Sequence, residues 1–217
     1  MRVAVMQPYL YPYLGYFHLI ASVDLFLIFD CVQFPRRGRV HRAPVPQKEA
    51  WLTLPLARQP RDTLISELAF AENAEVIWRE RLDRLPWMAQ APALRATLTP
   101  LRTGRVSDYL AAQLIFACDA LGIGTKIQLS SSYRVTSKLQ AQDRVIALAH
   151  ATGATSYVNL PGGRSLYDAA AFSAAGLSLS FVSKYNGPFQ SMLHALATQP
   201  YPRLRSALAE LPAPSAA

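Results

Sequence analysis

Short apolar runs alternate with segments of helical spacing along most of this 217-residue chain. Residues 2–6 and 25–29 are mainly β-branched or apolar, as in strands buried on both faces, and residues 14–23 between them have helical spacing. A strand, a short helix and a second strand in such quick succession predict a right-handed βαβ unit with parallel strands. This pattern constrains the fold more than any other feature of the chain.

The same alternation returns in the second half of the chain. It predicts three strands and two helices, at residues 126–129, 156–160, 177–182, 140–151 and 169–175. A further short strand is predicted at residues 65–68. We therefore predict an α/β fold in one domain over residues 1–217, with a Rossmann-like, mostly parallel sheet flanked by helices. Residues 72–100 should form a small helical insertion, and the tail at 212–217 should be disordered.

Composition excludes several classes of protein. Hydrophobic residues make up 51% of the chain, which is enough for a packed core, yet no stretch approaches the roughly 20 apolar residues of a membrane span. The two cysteines, Cys31 and Cys118, are too few for a disulfide scaffold and lack the spacing of a zinc site. We expect a cytoplasmic protein with neither a membrane span nor a metal site.

The net charge of +8 comes from 22 basic and 14 acidic side chains, and arginine dominates the basic ones. Their densest run lies between Arg36 and Arg42, in a loop that contains Gly38. Arginine presents a rigid fork of donors that suits phosphate and carboxylate groups. The run could therefore be an anion clamp, although a solvated basic face explains it equally well.

Polar residues follow several predicted strands, where the carboxyl ends of a parallel sheet form a ligand crevice. After the first strand come Gln7 and a tyrosine-rich loop that includes Tyr9, Tyr13 and Tyr16. Phenol groups can hydrogen-bond to phosphate or sugar and their rings can stack on a ligand. The same tyrosines could instead form an aromatic minicore. Gly15 would let a ligand approach the backbone closely.

Two more clusters lie at predicted strand ends. Asp30 follows the second strand, where an aspartate can be a catalytic group or a turn residue, and the basic loop with His41 comes after it. Gly162 and Gly163 follow Asn159 and could expose successive amides to an anion, although a tight turn explains them as well. Ser130 could add a hydroxyl at a neighbouring strand end.

The opening run at residues 6–20 reads Met-Gln-Pro-Tyr-Leu-Tyr-Pro-Tyr-Leu-Gly-Tyr-Phe-His-Leu-Ile, and Asp24, Asp30 and Val-Gln-Phe at 32–34 follow it. Together with Trp-Leu-Thr-Leu-Pro at 51–55 and Tyr-Val-Asn-Leu-Pro-Gly-Gly at 157–163, this run resembles the WbqC-like protein family over roughly residues 3–182. Members occur in bacterial gene clusters for O-antigen, so the resemblance implies lipopolysaccharide or related amino-sugar biosynthesis. Cys31 departs from the family pattern, in which a second acidic residue is common.

A weaker likeness concerns Tyr-Leu-Gly-Tyr at residues 13–16. Its position between strand and helix resembles that of the HxGH signature of nucleotidyltransferases and pantoate–amine ligases, with tyrosine in place of both histidines. This likeness implies a Rossmann-like fold and nucleotide binding, with ATP as the candidate cofactor. Tyrosine can donate a hydrogen bond but carries no positive charge, so it would stabilise a phosphate less well than histidine does.

From these features we predict a transferase or ligase that forms an acyl or amide bond on a nucleotide-linked amino sugar. ATP, an activated acyl donor or an acyl or aminoacyl carrier would supply the energy. The predicted catalytic residues are Asp30, Tyr13 and His41. The predicted substrate- and phosphate-binding residues are Gln7, Tyr9, Gly15, Tyr16, Gln33, Arg37, Arg42, Ser130, Asn159, Gly162 and Gly163. One alternative is a non-catalytic binding or assembly protein of the same pathway, and another is a tRNA- or RNA-binding transferase, although nucleic acid is the less favoured partner.

Overall fold

The computed structural model describes residues 1–46, 50–98, 101 and 104–216. The strands of this part of the chain are β1 (Arg2–Met6), β2 (Leu25–Ile28), β3 (Arg42–Pro44), β4 (Trp51–Thr53), β5 (Lys126–Leu129), β6 (Ser156–Asn159), β7 (Ser178–Phe181) and β8 (Ser215–Ala216). Its α-helices are α1 (Leu14–Ala21), α2 (Ala74–Asp83), α3 (Pro92–Leu98), α4 (Val106–Leu121), α5 (Ala141–Ala151), α6 (Ala169–Ala174), α7 (Met192–Thr198) and α8 (Tyr201–Ala209).

Six strands form one sheet in the order β5-β2-β1-β6-β7-β8, and every pairing is parallel except that of β7 with β8. The chain builds outward from β1 through β2 to β5, and then returns to place β6 on the other side of β1. The order of the strands thus reverses between β1 and β6. The predicted α/β class and the mostly parallel sheet are confirmed.

Helices cover both faces of the sheet because the central strands are apolar on both sides. Val3, Val5 and Leu27 pack toward α5 and α6 in one core cluster. Ala4 and Phe26, which alternate with them along β1 and β2, pack toward α1 and α4 in the other. The alternation follows from the period of two in a strand, so a strand buried on both faces reads as a continuous apolar run.

The segment predicted to be a helical insertion contains α2, a 3-10 turn at Pro86–Gln90 and α3, and its last two residues, 99 and 100, lie outside the described residues. The strand predicted at residues 65–68 is wrong, because Ile65–Glu67 form a 3-10 turn. The amides of Ile65 and Ser66 donate to Val32 and Asp30, so this turn lies along the segment that follows β2.

Two short strands and the end of the chain differ from the predictions. Strands β3 and β4 form an antiparallel hairpin outside the main sheet. The alternation at residues 51–56 predicts a short strand, and β4 lies within it, whereas β3 begins in the segment predicted to be a loop. The tail predicted to be disordered contains β8, which pairs with β7 through Phe181 and Ser215. Strand β7 would otherwise present its unpaired backbone groups at the edge of the sheet, and β8 satisfies part of them. Residue 217 lies outside the described residues.

Candidate functional site

Four of the predicted site residues lie at one edge of the sheet, and two of them, Asp30 and Ser130, are in contact. Strands β1, β2, β5 and β6 run parallel, so their carboxyl ends lie side by side. Gln7 directly follows β1, Ser130 directly follows β5, and Asp30 follows β2 after one intervening residue. Asn159 is the last residue of β6. The reversal of strand order between β1 and β6 falls at the same edge, which is where open α/β sheets bind ligands.

Asp30 is fully buried and is held by the end of the neighbouring strand. Its Oδ1 accepts hydrogen bonds from Ser130 Oγ and from the Ser131 amide, each at 2.9 Å, and its Oδ2 accepts from Ser131 Oγ at 2.7 Å. The Asp30 amide in turn donates to Ser130 Oγ at 3.2 Å. The carboxylate therefore ties the end of β2 to the end of β5.

This arrangement leaves the Asp30 carboxylate without contact to solvent. A general base must reach the proton that it removes, and these oxygens already accept three hydrogen bonds. The sequence predicts either an acid–base or an amine-orienting role for Asp30, and this geometry suits an orienting role better than an acid–base one. Cys31, the next residue, is partly exposed, and its Sγ accepts a hydrogen bond from Ser130 Oγ at 3.1 Å.

The tyrosine-rich loop divides into buried and accessible members. Tyr16, predicted to bind substrate, is fully buried, and its hydroxyl donates to the Gln7 carbonyl at 2.8 Å. Its side chain thus lies in the core beneath the site and fixes the backbone of Gln7. The ring of Tyr9 lies 5.4 Å from that of Tyr16 and stays partly exposed.

Tyr13 lies immediately before α1 and is partly exposed. With Tyr9, Arg39, Arg42 and Phe189 it lines a cleft, and we call these five residues the aromatic–arginine cluster. The rings of Tyr13 and Phe189 are 4.5 Å apart, and the side chains leave no room for a water molecule between them. Phe189 is 54% exposed, and a ligand that enters the cleft must displace its side chain.

Burial raises the pKa of Tyr13, and the neighbouring Tyr9 raises it further, while Arg39 opposes the shift. The phenol therefore keeps its proton at neutral pH. Its chemistry in this cleft is that of a hydrogen-bond donor to an anion or carbonyl oxygen, rather than that of a base.

Tyr185, in the loop after β7, covers the backbone of Gly15. A Cβ atom added there would lie 2.6 Å from Tyr185 Cβ and 2.6 Å from Tyr13 Cε2. The absence of a side chain lets the loop after β7 pack across the start of α1. The predicted approach of a ligand to this backbone would require Tyr185 to move.

The basic side chains of the loop lie in different surroundings. Arg42 Nε donates to the Gly38 carbonyl at 3.0 Å, Arg42 Nη2 donates to the Arg37 carbonyl, and the guanidinium lies 4.4 Å from the ring centroid of Trp51. The Arg37 side chain is exposed. Arg42 also lines the cleft of the aromatic–arginine cluster, whereas Arg37 does not line it and only accepts a hydrogen bond from Arg42 through its backbone carbonyl.

His41 and Gln33 lie apart from that cluster. The imidazole of His41 packs edge-on against Phe34, at 5.0 Å between ring centroids. Burial lowers the pKa of His41, and Arg42 lowers it further, so the imidazole is neutral at pH 7. Gln33 is exposed, and its Nε2 donates to the Arg61 carbonyl at 2.8 Å.

The turn after β6 uses most of its polar groups internally. Asn159 Oδ1 accepts from the Leu160 amide at 2.7 Å, and the Gly163 amide donates to the Leu160 carbonyl at 2.9 Å. Gly163 is buried against the Asn159 side chain, while Gly162 is exposed with open space around it. Of the two glycine amides predicted to hold an anion, the one at Gly163 is thus already engaged.

Sequence reasoning missed several residues that shape this site. Gln113, buried on α4, accepts from the Tyr11 amide at 3.1 Å and donates to the Tyr9 carbonyl at 2.9 Å, so it anchors the tyrosine-rich loop. Gln113 lies three residues after Leu110 on the apolar face of α4, and this spacing was the available signal. Arg39 belongs to the basic run that the sequence offers as an anion clamp, whereas Phe189 carried no comparable signal, because its place in the cleft depends on a loop that is distant in sequence.

Two findings bear on cofactors and environment. Within residues 1–46, 50–98, 101 and 104–216, no three histidine, cysteine, aspartate or glutamate side chains form a group that could hold a metal ion. Over the same residues, no helix combines the length and hydropathy needed to cross a bilayer.

The chain was compared with known proteins. It is 27% identical over 198 residues to the uncharacterized protein Rv1507c of Mycobacterium tuberculosis (strain ATCC 25618 / H37Rv), an alignment that covers 86% of this chain and 83% of that protein. No solved structure matches the chain significantly. The sequence pattern of the WbqC-like protein family matches residues 7–193, which include the tyrosine-rich loop, Asp30, the basic loop and the turn after β6. The chain belongs to the WbqC-like protein family.

Proposed function

We propose that this protein is a cytoplasmic enzyme of bacterial surface-polysaccharide or related amino-sugar biosynthesis, which forms an acyl or amide bond on a nucleotide-linked amino sugar. The observation that carries the proposal is the aromatic–arginine cluster beside the carboxyl end of β1. Aromatic rings stack on sugars and bases, and arginines bind phosphates, so the cluster offers both kinds of contact that such a substrate needs.

Different residues of the cluster bind different parts of the proposed substrate. Arg39 and Arg42 supply positive charge for the diphosphate, while Tyr9 and the exposed ring of Phe189 offer faces for the sugar or base. Tyr13, whose phenol stays protonated, donates a hydrogen bond to the oxygen of the reacting carbonyl. Asp30 and its serine partners hold the ends of β2 and β5 together.

The proposed reaction is the acylation of the amine of the sugar. The amine nitrogen attacks the carbonyl carbon of an activated acyl donor, such as an acyl thioester, and a C–N bond forms. The bond between that carbon and the leaving group breaks, and the amine proton passes to the departing thiolate. With a free carboxylic acid as donor, ATP would supply the activation, which is the role that the likeness to ligases suggests for it.

The test is a product assay on the purified chain. Incubation with a panel of nucleotide-linked amino sugars and acyl thioesters should give a product heavier than the acceptor by the mass of the acyl group. Tyr13→Phe should slow the reaction roughly fivefold to tenfold, because it removes one hydrogen bond to developing charge. Tyr201→Phe, on α8, is the matched control and should react at the wild-type rate. A panel that neither binds nor reacts would refute the proposal.

One observation favours a second candidate, a binding or assembly protein without catalysis. The carboxylate at the centre of the strand edge, Asp30, is fully hydrogen-bonded and closed to solvent, so it offers no accessible base. Such a protein would bind a nucleotide-linked sugar in calorimetry, with weaker binding by Tyr13→Phe, and would yield no acylated product with any donor.

A further inference from the structure

A pocket of about 420 Å³ lies between the β3–β4 hairpin and α2, away from the aromatic–arginine cluster. Three arginines and one histidine line it: Arg36, Arg58, Arg81 and His41. No aspartate or glutamate of the described residues lines it. Apolar side chains, including Phe34, Leu54 and Ile77, form much of its remaining wall.

The arginines of this pocket lack acidic partners. None of the three forms an ion pair within the described part of the chain, whereas Arg2, Arg79 and Arg105 each do so elsewhere. Arg58 is exposed, and the described residues offer it no hydrogen-bond acceptor. Like charges that gather around one cavity repel each other, and an anion in the cavity removes that repulsion.

Backbone contacts hold two of these cations in position. Arg36 Nη2 donates to the Gln59 carbonyl, and Arg81 Nη1 donates to the Thr53 carbonyl, so both guanidinium groups are fixed at the wall. Burial lowers the pKa of Arg81, and the nearby Arg84 lowers it further. Each guanidinium carries more N–H groups than these contacts use.

His41 adds an unsatisfied polar atom. Its Nδ1 is buried and has no hydrogen-bond partner among the described residues. A buried imidazole nitrogen without a partner is unfavourable, and a ligand in the adjoining pocket could supply one. Its neighbour Arg42 lines the other cleft, so the basic loop divides its cations between two cavities.

We propose that this pocket binds the phosphoryl group of a small ligand through Arg36, Arg58 and Arg81, with His41 as an additional hydrogen-bonding group. Guanidinium forks match phosphate oxygens, and the apolar wall would receive the uncharged part of the ligand. The proposal does not rest on the proposed function, because the pocket shares no residue with the aromatic–arginine cluster.

The test is calorimetric titration of the whole chain with inorganic pyrophosphate at low ionic strength, repeated with a nucleoside diphosphate. Arg58→Gln should weaken pyrophosphate binding about tenfold, because it removes a charge-assisted contact. Arg203→Gln, an exposed arginine on α8, is the charge-matched control and should change the affinity by less than about twofold. Circular dichroism and the Tm check that both variants are folded.

A second readout does not depend on any variant. Pyrophosphate should shift the NMR signals of the His41 imidazole, which lies at the wall of the pocket. If the nucleoside diphosphate binds more tightly than pyrophosphate with the same sensitivity to Arg58→Gln, the source of the phosphoryl group is a nucleotide; if pyrophosphate binds equally well, the free anion is sufficient. Absence of binding by both probes, or equal losses in Arg58→Gln and Arg203→Gln, would overturn the proposal. Pyrophosphate binding that is weakened by Arg39→Gln but not by Arg58→Gln would assign the anion to the aromatic–arginine cluster and would also overturn the proposal, which separates this test from that of the proposed function.

Discussion

Oδ2 of Asp30 lies 2.7 Å from the hydroxyl of Ser131, and this hydrogen bond joins the ends of two strands whose residues are about a hundred positions apart in sequence. The same carboxylate accepts from Ser130 and from the Ser131 amide. A buried carboxylate with all three of these hydrogen bonds fixes the geometry of the strand edge. It thereby also positions the loops that start at this edge.

Asp30→Asn should reduce the free energy of unfolding by about 1–3 kcal/mol. The amide replaces one accepting oxygen with a donating NH₂ group, which then faces the donors of Ser130 and Ser131 in a buried site. Urea denaturation measures the change. Asp62→Asn, at an exposed position, is the control and should stay within about 0.5 kcal/mol of the wild type. Equal stability of both variants would contradict the positioning role of Asp30.

Gly15→Ala should also destabilise the protein. The new Cβ would lie 2.6 Å from Tyr185 Cβ, and overpacking of this kind costs about 1–3 kcal/mol, which exceeds the gain in helix propensity. Gly124→Ala meets no atom within 4 Å and should have little effect on the Tm. A Tm for Gly15→Ala at or above that of Gly124→Ala would show that Tyr185 does not pack against α1 in solution.

Acidification should weaken the fold through three of its histidines. Burial lowers the pKa of His18, His41 and His194 below the ordinary histidine value of about 6.5. In this range the unfolded chain binds more protons than the folded one, so the stability is complete above the unfolded pKa and is lost as the pH falls through the folded values. The urea midpoint should therefore decrease between about pH 7.5 and pH 5.5.

The variant His18→Gln tests the origin of this pH dependence. His18 is buried on α1, and its replacement removes one of the three imidazoles that must be protonated on unfolding. The midpoint should then fall less steeply with decreasing pH than in the wild type. An unchanged slope would assign the pH dependence to other groups.

The two cysteines should differ in reactivity. Cys118 is 3% exposed, and burial raises its pKa to about 12, so it carries almost no thiolate at neutral pH. Cys31 is partly exposed. A thiol reagent should modify one cysteine in the native protein and both after unfolding, and Cys31→Ser should leave the native protein unreactive. Rapid modification of Cys118 would show that α4 opens readily.

Local sequence determined the architecture of this protein. The apolar runs of β1 and β2 and the helical spacing between them specify a βαβ unit, because periodicity and chirality act over short distances. The same reasoning located the strand ends at which Asp30, Ser130 and Asn159 lie. It missed the β3–β4 hairpin and the pairing of β8, since hydrogen bonds between short, irregular segments depend on what the rest of the chain leaves unpaired.

Only the tertiary structure decided what each polar residue does at those strand ends. The sequence placed Asp30 at a strand end, but only the fold shows that its carboxylate is buried and hydrogen-bonded to Ser130 and Ser131, about a hundred residues away. The sequence shows one basic loop. In the fold, Arg42 lines the cleft of the aromatic–arginine cluster, whereas His41 lines the separate pocket beside α2. The physical reason is that burial and hydrogen-bond partners come from distant segments, while residue type and spacing alone set neither of them.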